Sequence, residues 1–195
     1  MIKNTIKLVV VLATLATAPL MAEDNYEFET NSLVGIEGGA SSLDYYKNSS
    51  AISRVSLANV GLKLGAETKD FRVFLSGRYF YDPSAEYEYL ITYGAELQYK
   101  LNVSKAFNLY MGVNGGYASM RFDPTNDAYG PRSLSAPYFG GDVGTNIHLG
   151  ETTDLEIGGR AMRIHAIHNG GASGNYNIGN IVNVYASLIF KWTMD

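Results

Sequence analysis

Eight times along the chain, in stretches of about ten residues, apolar and polar side chains alternate with period two. The clearest is Asn59-Val60-Gly61-Leu62-Lys63-Leu64-Gly65-Ala66-Glu67. Its even positions are wholly apolar and its odd positions are polar, charged or glycine. Period two places successive side chains on opposite faces of a strand and is incompatible with an amphipathic helix. The pattern recurs over 32–44, 71–81, 89–101, 107–121, 138–149, 154–165 and 181–192. One face then carries residues such as Phe71, Val73 and Leu75, or Val182, Val184 and Leu188. The other carries Arg72 and Arg78, or Asn183 and Lys191.

The connections alternate as well. Residues 68–70, 102–106 and 150–153 are short links, whereas 45–56, 82–88, 123–137 and 166–180 are longer and polar. Eight strands joined by alternating short turns and long loops predict an all-β fold, an eight-stranded antiparallel up-and-down transmembrane β-barrel. Both termini and the short turns lie at the periplasmic end, and the long loops are extracellular. A soluble barrel would show the same alternation with the apolar face inward. Three features favour the membrane: an apolar face almost free of charge, aromatics near the strand ends (Tyr79, Tyr81, Tyr89, Tyr99, Phe107, Trp192), and a glycine-rich opposite face suited to a narrow lumen.

The first residues fit that reading. Lys3 and Lys7 precede the apolar run Leu8–Ala18, and Ala22 stands before Glu23-Asp24. This is the pattern of a secretory signal over residues 1–22, with the barrel domain over 23–195. The apolar run is shorter than the ~20 residues a membrane-spanning helix requires. Cleavage takes the net charge from −4 to about −6, since two lysines leave with no acid. An acidic chain lacks the basic footprint of nucleic-acid binding. With no cysteine there is neither a disulfide framework nor a lipoprotein anchor.

The signal, the opening strand Val34-Gly35-Ile36-Glu37-Gly38-Gly39, the strand Val60–Gly65 and the amphipathic last strand Val182–Trp192 together resemble the small OmpA/OmpX-type family of bacterial outer-membrane barrels. In that family the last strand usually ends on an aromatic, whereas here Thr193-Met194-Asp195 follow Trp192. The resemblance implies outer-membrane lipid and lipopolysaccharide as surroundings. It also implies periplasmic chaperones and the barrel-assembly machinery as partners in biogenesis. It implies no single activity, because the fold hosts structural proteins, adhesins and lipid enzymes.

By alternation the lumen receives Glu37, Glu67, Glu96, Asp142 and Glu156 together with Lys63, Arg72, Arg78, Lys100, Arg160 and Lys191. An eight-stranded interior is just wide enough to be filled by side chains. Charges there must be paired, since an isolated buried ion costs several kcal/mol. The expected arrangement is an ion-pair network plugging the barrel, in a protein with a structural or surface-interaction role. A narrow, low-conductance channel is the alternative, with Gly61, Gly65, Gly94, Gly112, Gly116, Gly140, Gly144 and Gly158 leaving space between the large groups. Counting from Asp82-Pro83-Ser84 puts Arg78 and Glu96 at similar heights, within reach of a lumenal ion pair. Glu67 and Arg72 stand in the same relation across the turn at Thr68-Lys69-Asp70, nearer the periplasmic water.

A lipid-modifying enzyme needs a nucleophile and base within reach. His148 reads as an inward structural histidine. His165 and His168 stand at the start of the last external loop, without a G-x-S-x-G elbow. No catalytic residue, metal site or cofactor is expected. The loop segments Asp44–Asn48, Asp123–Arg132 and Asn169–Asn177 are rich in Tyr, Asn, Ser and Gly and suit recognition of an extracellular ligand. Asp123–Asp127 lacks the glycine and terminal glutamate of a calcium loop.

Overall fold

The computed structural model describes residues 30–47, 53–81, 87–122, 132–169 and 175–193. They form β1 (Asn31–Lys47), β2 (Ser53–Glu67), β3 (Phe71–Tyr81), β4 (Tyr87–Asn102), β5 (Phe107–Phe122), β6 (Arg132–His148), β7 (Thr153–Asn169) and β8 (Asn175–Thr193). Each strand pairs antiparallel with its neighbour in sequence, and β1 pairs with β8 to close the barrel. Asn31 faces Glu67 on one side and Thr193 on the other, so both ends of the barrel chain lie beside the short turns. Closure leaves no unpaired strand edge, which a sheet in hydrocarbon requires.

The apolar face of the alternation points out. Val60, Leu62, Val113, Phe139 and Val184 are between 62% and 64% exposed, and similar residues continue around every strand. Soluble monomers rarely expose a contiguous apolar patch beyond a few hundred Å². A belt around the whole circumference belongs in hydrocarbon. Aromatics edge it on both sides. Phe71 and Tyr99 pack near the turns with ring centroids 5.3 Å apart, and Tyr93 stacks on Tyr117 at 6.2 Å toward the loops.

The strands are longer than alternation suggested, and the long links correspondingly shorter. Residues 45–47, 53–56, 132–137, 166–169 and 175–180, read as loop from sequence, belong to strands. Thus Asp44–Lys47, Arg132, Asn169 and Asn175–Asn177 are strand rather than loop, as is the backbone of His165 and His168; the rest of the loop segments lies outside the described residues, as do residues 1–22. The extension has a physical cause: above the membrane belt the alternation continues with its sense reversed. In β2, Val55 and Leu57 point in while Arg54 and Ser56 point out. In β6 and β7, Ala136, Met162 and Ile164 are buried and Ser133, Ser135 and Arg163 exposed. Polar outside and apolar inside is the pattern of a barrel standing in water. The reversal therefore marks where the strands leave the hydrocarbon. β-Bulges in the β1–β8, β7–β8 and β4–β5 ladders lie in the same zone.

Candidate functional site

The lumen is stratified along the barrel axis. At its centre lies a charge cluster built around Glu37 of β1. Arg160 of β7 donates to both Glu37 oxygens, at 2.9 and 3.1 Å, and Arg78 Nε of β3 donates at 2.9 Å. Lys63 Nζ of β2 lies 3.0 Å from Glu37 and 2.6 Å from Glu156 of β7. Arg78 also bridges to Glu96 of β4, which Arg160 approaches at 3.4 Å. These six side chains come from five strands, and the residues are at most 2% exposed. Three acids face three bases, so the cluster is neutral as a unit.

Its long cations are shaped by aromatic rings. The Arg160 guanidinium lies 4.2 Å from the Tyr185 ring centroid and Lys63 Nζ 4.7 Å from it, both favourable cation–π placements. Tyr185 in turn shares a 2.7 Å hydrogen bond with Tyr110 across the lumen. The inward glycines make room for these rings. A Cβ added at Gly144 or Gly158 would overlap the Tyr110 hydroxyl, and one at Gly94 would come within 2.6 Å of the Tyr138 hydroxyl. At these three glycines the space that the sequence left open as a pathway is taken by tyrosine, and at Gly61 and Gly65 by Arg78 and Phe74. Asp142 is held apart from the bases, accepting from Gln98 at 3.0 Å and Asn114 at 3.2 Å.

A second charge layer closes the turn end. Glu67 accepts from Arg72 Nε at 2.7 Å and Lys100 Nζ at 3.0 Å. Asp154 receives Arg72 Nη2, Lys191 Nζ at 3.0 Å and His148 Nδ1 at 2.7 Å. His148 Nε2 faces Asn108 Nδ2 at 3.3 Å, so His148 is braced on both nitrogens rather than presented to a substrate. Between the two layers Leu33, Phe74 and Ile189 pack as a small apolar belt.

Toward the loops the polar character ends. Asn183 Nδ2 donates to Asn59 Oδ1 at 2.6 Å and to Ser41 Oγ at 2.8 Å above the central cluster. Beyond them Leu43, Leu57, Phe80, Leu90, Met120, Met162, Ile164 and Ile181, none more than 4% exposed, pack into one continuous cluster. A water or ion moving along the axis would have to pass through this apolar core.

All eleven charges assigned inward by alternation point into the lumen. Two details of the sequence reading are corrected. Arg78 and Glu96 are not level: Arg78 pairs with Thr92 and Glu96 with Phe74, and the long guanidinium spans the offset diagonally. Glu67 and Arg72 are not water-exposed but 5% and 1% exposed, because Lys100 and Asp154 crowd over them. The reading also missed Asp154. It is the first residue of the 154–165 segment and shares the inward parity of Glu156. Counting it, six acids face six bases. The apolar cap was missed too, since the alternation was followed only in its lipid-facing sense. Among the described residues no group of three or more His, Asp or Glu is placed to hold a metal ion.

No sequence family matches the chain, and no curated protein matches it. Solved structures do. Neisserial surface protein A superposes with a TM-score of 0.63 at 14% identity, over 82% of this chain and 97% of that one. The outer membrane protein OprG from Pseudomonas aeruginosa gives 0.55 at 15% identity, over 86% and 98%. At such identities the likeness is one of fold. The chain has the eight-stranded transmembrane barrel fold of the small outer-membrane proteins.

Proposed function

We propose that this protein resides in a bacterial outer membrane, with the short turns and both termini periplasmic, and acts at its surface rather than as a conduit. One observation carries the reading: among the described residues, side chains fill the lumen from the turn end to the apolar cap. Six charges neutralise one another in a central layer, five more pair in a layer at the turn end, and an apolar core caps the loop end. A pore that selects by charge lines its water with a ring of one sign. Here the charges face each other. The work left to such a barrel is structural, or recognition of an extracellular partner through the loops, with lipopolysaccharide around it and the assembly machinery inserting it.

Fractionation and gel mobility test the location. The protein is expected with outer membranes, migrating faster unheated than boiled, because a closed hydrogen-bonded barrel resists detergent until heated. A soluble form without a heat-modifiable band would overturn the membrane reading. Unitary conductance would replace the closed lumen with a narrow channel, and altered lipid A would replace both with a lipid-modifying enzyme.

A further inference from the structure

The outward cations of the strands, among the described side chains, are Arg54, Arg121 and Arg163, and all lie at the loop end. Arg54 is paired with Asp44 at 3.3 Å. Arg163 differs in its setting. It is exposed on β7, eleven residues along from Thr153 counting both, about the length of a tilted strand that crosses the bilayer. Its neighbours across the ladders are Phe139 of β6, 63% exposed, and Asn180 of β8, also exposed. Just below stand Ala161 and Val182, both lipid-facing; just above, the β7–β8 ladder breaks at a bulge. An aromatic ring, a guanidinium and a carboxamide are therefore side by side where the outer face changes from apolar to polar.

We infer that Phe139, Arg163 and Asn180 form a docking surface for a phosphorylated glycolipid of the outer leaflet. The guanidinium offers a planar pair of donors matched to a phosphate, Asn180 adds an amide donor, and Phe139 lies against the first methylenes of an acyl chain. Charge and depth both favour a lipid-borne phosphate, because a soluble anion gains nothing from the ring beside the guanidinium or from the apolar Ala161 and Val182 below it. The inference rests on the outer-membrane location proposed above.

The test uses the full-length mature protein in phosphatidylcholine nanodiscs doped with lipid A, or with lipid A stripped of its phosphates. Lipid retained by the barrel is read by native mass spectrometry. Wild type is expected to prefer the phosphorylated form, Arg163→Ala to lose about tenfold in that preference, and Arg54→Ala to keep it. Arg163→Lys, which keeps the charge but not the paired donors, is expected between wild type and alanine. The surface is overturned if wild type shows no preference, if Arg163→Ala retains it, or if Arg54→Ala loses it equally. Heat-modifiability of the same samples separates the two claims: an absent barrel counts against the membrane reading, an intact barrel without lipid preference against this surface alone.

Discussion

Glu37 is the residue on which the interior depends most. Three cations from three other strands converge on its carboxylate. Its removal would leave three buried charges short of a partner, where loss of one member of a buried pair already costs ~3–5 kcal/mol. Glu37→Ala is therefore expected to destabilise the barrel by at least that much in reversible unfolding from lipid. Glu67→Ala is expected to cost a comparable amount per cation released, since Glu67 is buried and holds two. A cost below ~1 kcal/mol for Glu67→Ala would return that pair to the exposed class. On the lipid face, Leu62→Arg places a charge in hydrocarbon and is expected to cost about 2–4 kcal/mol near the midplane. Gln98→Arg is expected to be milder, because it adds a cation beside Asp142; equal costs at the two sites would reverse the assignment of inside and outside. Parity made these inward charges legible in the sequence. Two pairs could be counted across hairpins, Arg78 with Glu96 and Glu67 with Arg72, and both form. The partners on distant strands could not, since a long Arg or Lys reaches two positions up or down the wall and register alone does not say which carboxylate it meets.

At the scale of the strand, the lipid-spanning half of each element was plain from period two, and its extension above the membrane was not. Arg54-Val55-Ser56-Leu57 alternates as cleanly as Leu62-Lys63-Leu64-Gly65, but with apolar positions on the other face. Read for one sense only, it looks like loop. The glycines show a related difficulty. Their inward parity was evident, but whether they leave a gap or seat a ring depends on neighbours several strands away in sequence. Gly158 seats the Tyr110 hydroxyl, and its would-be Cβ also lies 3.0 Å from Tyr185. Gly158→Ala is expected to destabilise by about 1–3 kcal/mol through overpacking. Tyr110→Phe removes the oxygen it would strike. Combined, the two substitutions are expected to cost less than their sum; strict additivity would mean that tyrosine does not fill the space at Gly158.

For the whole molecule, closure and stratification matter together. Eight strands give a cylinder narrow enough for side chains to fill, and the filling is ordered along the axis. A charged layer lies at the turn end, a small apolar belt follows, then a neutral charge cluster and an apolar cap. Two kinds of barrier therefore stand in series. Breaking the central layer alone, as in Arg78→Ala with Glu96→Ala, is expected to leave the apolar cap in place and the barrel closed. The measurement that bears most directly on the closed lumen is single-channel recording of the wild-type protein in planar bilayers, after heat-modifiability has shown it folded. The expected record is a flat baseline without unitary steps; reproducible steps of fixed size would contradict a lumen sealed by its own side chains.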